Sequence, residues 1–333
     1  RELKGKFKYT LRWGGMDRYY NQNELGLSRF NNLQRFNVTL NYQILKENRF
    51  FRSYNNYLSI NERYRFDEFY RTGGGFRFGN NFTLQNLIEL ELDFQYAGIE
   101  KDFFEPRVID RYVVNPENFE IKFGLKTNTN NIFSYGFEYE NNEFNNKQFD
   151  ENKHSNSIML LAKYRISNQI TLNVSTQNEK ISDDVGFLKN NNNNIYFRKR
   201  KIKSIENNID FEYNINPSKF LSLKFRNFWS SAKFDKILYN LLENGERSII
   251  DYDLLDYDPN TNFNLWNLEL NYEWWFSPGS TLTVQYKNQI FNRDNKSGIN
   301  YYESLKELFE TPVEHQFSLR INYLIDYDKF KRR

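Results

Sequence analysis

The sequence predicts an all-β fold: a single transmembrane antiparallel β-barrel of about 14 strands, with short periplasmic turns and long extracellular loops. Three observations lead there. The 333 residues hold 49 Asn, 24 Tyr and 32 Phe but only 3 Ala. Ala is the best helix former, whereas Tyr, Phe and Asn suit strands and turns. A mean hydropathy of −0.83 coexists with 18% aromatic residues, and a disordered chain that polar would be poor in rings. Finally, apolar residues recur with period two, in segments whose connections alternate between short and long.

The first segment, 3–13, sets the pattern. Leu3, Phe7, Tyr9, Leu11 and Trp13 alternate with Lys4, Lys6, Lys8, Thr10 and Arg12. Successive side chains of a strand point to opposite faces, so one face is apolar and the other polar. At 33–45, Phe36, Val38, Leu40, Tyr42 and Ile44 alternate with Arg35, Asn37, Thr39, Asn41 and Gln43. Segments 50–66 and 70–84 alternate poorly, and the Gly73, Gly74, Gly75 run weakens the second. At 87–98, Ile88, Leu90, Leu92, Phe94 and Tyr96 oppose Glu89, Glu91, Asp93 and Gln95. Further strands are read at 117–127, 131–143, 155–166, 168–180, 202–215, 218–232, 262–276 and 279–292. The last, 312–326, sets Phe317, Leu319, Ile321, Tyr323 and Ile325 against Ser318, Arg320 and Asn322. Short connections fall near 46–48, 85–86, 128–130, 167, 216–217 and 278–279, and long ones at 14–32, 99–116, 144–154, 181–201, 233–261 and 293–311. Only the link at 67–69 breaks the alternation.

A soluble antiparallel sandwich also uses half-polar strands. Its strands usually run five or six residues, with no rule about which connections are long. Strands of about 10–15 residues in even number fit a membrane barrel better, and closure matters because hydrocarbon offers no partner to an open edge. Both termini then lie on the periplasmic side of a Gram-negative outer membrane. Trp13, Tyr64, Phe66, Tyr96, Trp229, Trp266 and Trp274 fall near strand ends, where interfacial girdles form. The outward series ends in Tyr323, Ile325 and Tyr327, as in an aromatic C-terminal strand. No stretch approaches the roughly 18 apolar residues of a membrane helix. Residues 1–333 read as one domain, since no Pro-rich or Gly/Ser-rich linker interrupts them and the only low-complexity tract is 190–194. A start at Arg1 and the lack of a signal peptide read as a processed or partial product.

The absence of Cys excludes disulfides and thiolate metal sites, and two His argue against a His-rich one. A formal net charge of +3 gives no reason to expect nucleic acid. No cofactor is indicated. Lumen-lining candidates are Lys4, Lys6, Lys8, Arg12, Glu89, Glu91, Asp93, Lys163, Arg165, Arg226, Glu269 and Arg320. Such a face serves either a selective pore or a lumen laced by cross-strand ion pairs, and long Arg, Glu and Tyr side chains favour obstruction. Lys199, Lys201 and Lys203 share outward parity with Ile205, Ile209 and Phe211, which would place them on lipopolysaccharide phosphates unless they are simply a solvated charge run. The acidic loop Asp251, Asp253, Leu254, Leu255, Asp256 and Asp258 reads as an ordinary acidic loop or a partner-docking surface; it lacks the EF-hand pattern. His315, with Ser297 and Ser304 in the preceding loop, lacks a nucleophile motif, so a surface hydrolase is the weakest reading.

Three segments carry a family resemblance: KDFFEPRVIDRYV (101–113), EWWFSPGSTLTVQYKNQ (273–289) and SLRINYLIDYD (318–328). With the Asn- and aromatic-rich body, they resemble the C-terminal barrel, a domain of unknown function, of Bacteroidota outer-membrane proteins. Those proteins carry an N-terminal sandwich similar to family-nine carbohydrate-binding modules. Residues 1–333 all read as barrel, so no carbohydrate binding is carried over from that sandwich, and the resemblance implies no catalytic residues. The expected role is a structural or accessory subunit that scaffolds lipoproteins or other barrels in the outer membrane. The alternative is a passive or selective pore for small hydrophilic solutes, glycans among them.

Overall fold

The computed structural model describes residues 6–20, 31–145, 152–191, 194–250 and 258–325. In chain order the elements are β1 (Phe7–Met16), β2 (Leu33–Ile44), β3 (Phe51–Tyr64), β4 (Arg71–Leu84), β5 (Glu89–Ala97), β6 (Glu100–Asp102), β7 (Val113–Asn115), β8 (Asn118–Lys126), β9 (Phe133–Phe144), β10 (His154–Arg165), β11 (Ile170–Asn191), β12 (Asn194–Asn216), β13 (Lys219–Leu241), β14 (Arg247–Ile250), β15 (Thr261–Ser277), β16 (Ser280–Asp294), α1 (Tyr301–Leu308) and β17 (Glu314–Asn322).

One antiparallel sheet holds all strands except β6 and β7, which pair with each other. Its order follows the chain from β1 to β17, and the short β14 pairs only with β13. Among the described residues β1 and β17 are not paired with each other, so the sheet as described is open. Alternation explains the register. Phe7, Tyr9, Leu11 and Trp13 lie opposite Tyr42, Leu40, Val38 and Phe36, and Lys8, Thr10 and Arg12 lie opposite Asn41, Thr39 and Asn37. Directly opposed residues share a face, so the apolar and polar rows stay on separate sides.

The apolar side is uncovered. Phe7 is 72% exposed and Leu319 57%, and Leu40, Ile60, Phe78, Leu92, Ile121 and Leu160 are exposed between them. A soluble sandwich would bury this row against a second sheet. Here α1 lies over part of it, and Phe69 of the β3–β4 turn packs on Phe36 and Tyr64.

That helix corrects the expectation of a loop at 293–311. Asn300 caps it: its side chain accepts from the Glu303 N–H while the Glu303 side chain accepts from the Asn300 N–H, a reciprocal capping box. Tyr301 and Phe309 rest on Trp229 and Trp266, at centroid distances of 5.9 and 5.0 Å. Trp229 is therefore only 4% exposed and donates to Asn262. It does not belong to an exposed girdle, because the helix docks over it.

A second correction concerns 181–201 and 233–261. Much of both is strand, since β11, β12 and β13 run 22, 23 and 23 residues. Register shifts between Ile181 and Asp184, and between Arg198 and Arg200, hid this from a strict period of two. The extensions carry the buried cluster of Ile195, Phe197, Tyr239 and Leu241, joined by Val113 of β7.

Asn300→Ala removes one half of the cap, worth about 1 kcal/mol. Trypsin cleavage after Lys306 should then quicken about fivefold; an unchanged rate would show that packing alone holds α1.

Candidate functional site: the polar face and the strap across it

The polar face is built from cross-strand pairs. Gly79 of β4 lies opposite Asp93 of β5, and a Cβ at 79 would meet Asp93 and Tyr57. Only glycine leaves that approach open. The Asp93 carboxylate, 5% exposed as a residue, accepts from Arg77 Nη2 at 3.0 Å and from the Tyr57 hydroxyl. Lys122 of β8 reaches Glu91 at 3.8 Å and Glu138 at 3.4 Å, and Lys126 reaches Glu138 at 3.0 Å. Arg226 holds Glu206 with two hydrogen bonds of 3.0 Å each. Glu269 takes Lys287 at 3.1 Å and the Gln285 amide at 2.8 Å.

Other candidates from the sequence lie on the same face without joining these clusters. Lys8 donates to Gln43 at 3.0 Å. Arg12 lies opposite Asn37, Glu89 opposite Lys126, Lys163 opposite Ser134 and Asn173, and Arg320 opposite Thr283. Arg165 donates to the Thr129 carbonyl at 3.4 Å. Lys6 precedes β1 and offers its carbonyl to the Gln43 N–H. Lys4 lies outside the described residues.

Residues 99–116 form a strap at the end of the sheet where the long connections lie. On one side Arg63 bonds Glu100, Arg65 bonds Asp110 at 2.5 Å, and the Arg65 guanidinium sits 4.4 Å over the Phe103 ring. On the other side Glu105 accepts the Phe187 N–H at 3.0 Å and Arg107 sits 4.4 Å over the Phe187 ring. Arg111 donates to the Leu241 and Leu242 carbonyls at 3.1 Å, and the Val114 N–H to Gly245 at 2.8 Å. Burial raises the Glu100 carboxyl above the ordinary carboxylate value, although Arg63 pulls it down.

The strap measures the curvature of the sheet. Glu100 pairs with Asn115, and Lys101 with Val114, so the contacts to Arg63 of β3 and to Gly245 beyond β13 arise within one hairpin width. In a flat sheet β3 and β13 would lie about 38 Å apart, eight steps of about 4.8 Å. The sheet must therefore curl, with its polar side concave. Between the strap and β1–β4 lies a cavity of about 1150 Å³, lined by Arg35, Arg63 and Arg65 among others.

A family model described as a domain of unknown function (DUF5916) matches residues 1–333. The chain belongs to this family. No curated protein matches the chain.

On the apolar side, Lys203 lies directly opposite Lys180, and Lys201 opposite Lys233; all four are exposed. Lys199, half-buried, lies opposite Val185. Of the acidic loop, Asp251, Asp253, Leu254, Leu255 and Asp256 lie outside the described residues, while Asp258 caps the turn through the Asn260 N–H. The Ser304 hydroxyl is buried between Asn262 and Asn264, and His315 Nδ1 bonds the Tyr286 hydroxyl at 2.8 Å. Sequence reasoning missed Tyr57, Arg63, Arg65 and Glu100. The first three sit in the segment whose alternation Glu62 interrupts, although Ser59, Asn61, Arg63 and Arg65 keep a polar period of two.

Asp93→Asn leaves Arg77 with a weaker partner and should cost about 2 kcal/mol, discounted because Arg77 is partly solvated. Urea unfolding of the detergent-solubilised protein checks this. Adding Arg77→Gln should recover part of the loss; strictly additive losses would deny the coupling.

Proposed function

We propose that the chain is a 14-stranded β-barrel of a Gram-negative, Bacteroidota-type outer membrane, with both termini periplasmic, and that it serves as a structural or accessory subunit. Its partners would be lipoproteins or other barrels. The uncovered apolar side supports the membrane placement, since hydrocarbon is the solvent such a face needs. The curl inferred from the strap supports closure of β1 on β17, which would also satisfy the backbone groups of both edges.

The observation that carries the subunit reading is the strap itself. A strap anchored on β3 and on the β11–β13 extensions lies across the mouth of a lumen already laced by ion pairs. Such a barrel is poorly suited to free diffusion. The cavity of about 1150 Å³ under the strap favours the second reading, a pore for small hydrophilic solutes.

In planar bilayers the intact protein should be silent, whereas replacing residues 101–113 by a Gly/Ser linker should produce openings. Steady ohmic openings of the intact protein would defeat the subunit reading in favour of the pore.

The paired lysines on the outward side support contact with lipopolysaccharide, because like charges directly opposite one another repel unless an anion intervenes. Changing Lys180, Lys201, Lys203 and Lys233 to Gln should lower co-purified lipopolysaccharide by about half. An unchanged phosphate content would count against that contact.

A further inference from the structure

The cavity beneath the strap is lined by more cations than carboxylates. Along β5, β8 and β9, cation and carboxylate face each other: Asp93 lies opposite Lys122, Glu89 opposite Lys126, and Lys122 opposite Glu140. At the mouth, Arg35 of β2 and Arg63 of β3 are direct cross-strand partners on the same face. Like charges in that position destabilise a sheet. The cavity lining contains Arg18, Arg35, Arg63, Arg65, Lys101 and Arg107 against Glu100, Asp102 and Asp110; Asp67 and Glu68 beside it hold Arg18, and Glu68 also holds Arg65, so the surplus rests on Arg35, Lys101 and Arg107.

Those three carboxylates are already committed. Glu100 takes Arg63, Asp110 takes Arg65, and Asp102 accepts the N–H groups of Phe104 and Glu105 at 2.7 and 3.1 Å, which shapes the strap's own turn. Arg35 makes no ion pair at contact distance among the described residues, although its charge acts on Glu100, and Arg63 Nε is buried without a protein partner. The wall beside them is bare, since a Cβ added at Gly14 would meet nothing within 4 Å. Open volume therefore stands next to Arg35 and beside the Arg63–Glu100 pair.

We propose that this cavity binds a small polyanion carrying carboxylate or phosphate groups, of about the size of an acidic trisaccharide. Planar guanidinium groups pair with either oxyanion through two parallel hydrogen bonds, which a neutral sugar cannot match. The volume slightly exceeds that of ordinary small-molecule sites, roughly 300–1,000 Å³, so an oligomeric ligand suits it better than a single ion. Arg35 and Arg63 would bind the ligand, Lys101 and Arg107 would line the strap side, and Glu100 would compete for Arg63. The proposal does not depend on whether the barrel conducts.

The test is calorimetry on the full chain in detergent, with trigalacturonate as the carboxylate probe, tripolyphosphate as the phosphate probe and maltotriose as the neutral control. At least one anion should bind and maltotriose should not. Arg35→Gln should weaken that binding about tenfold or more, and Arg35→Lys should weaken it less. Glu100→Gln should tighten it, because it frees Arg63. Removing one of two opposed cations relieves repulsion, so Arg35→Gln should fold normally, as judged by its unfolding midpoint. Failure of both anions to bind, equal binding of maltotriose, or binding indifferent to Arg35→Gln would each overturn the proposal. None of these outcomes bears on conductance.

Discussion

Everything in this molecule depends on one sheet having to satisfy its own backbone. Each strand pairs with its neighbours in the plane of the wall, so N–H and C=O groups are spent within the sheet and the side chains alone decide what each face meets. Because direction reverses at every residue, one chain can present Phe7, Tyr9 and Leu11 to one side and Lys8, Thr10 and Arg12 to the other. A one-residue slip anywhere would exchange the two faces. The pairings of β1 with β2 and of β2 with β3 accordingly run without a register shift.

The polar side faces a different difficulty. Charges on a concave surface are partly removed from water, and an unpaired one is costly there. The cross-strand solutions differ in detail: one carboxylate serving Arg77 and Tyr57, one lysine shared by Glu91 and Glu138, one bidentate Arg226–Glu206 pair. At the extension of β11 the same logic stabilises an irregularity. Asp184, at the register shift, holds Arg200 at 2.7 Å and Lys153 at 2.9 Å, and these cations keep its carboxyl below the usual range despite burial.

Much of the sheet was legible because period two is a strong local signal. The segment read at 87–98 corresponds to β5, Glu89–Ala97, and the segment read at 279–292 to β16, Ser280–Asp294. What escaped was non-local or irregular. The upper parts of β11 to β13 pass through bulges that break the parity count. Helix α1 is too short for a convincing helical period, although Asn300 and Glu303 mark its start and Tyr301, Leu305, Leu308 and Phe309 mark one face. The mouth cavity depends on Arg35, Arg63 and Glu100 meeting through register and strap geometry, and no spacing along the chain encodes that meeting.

The strap also has a bearing on the order of assembly. Strand partners in the sheet are neighbours along the chain, so the wall can grow by successive hairpins at modest entropic cost. Arg111 and Leu241, by contrast, are separated by 130 residues. Their contact cannot persist until the intervening strands have paired and curled, and until then Val113 lacks the Ile195, Phe197, Tyr239 and Leu241 surface it rests on. Strap docking is therefore a late event. A docked strap reports that the nine strands from β3 to β13 along the sheet are already in place.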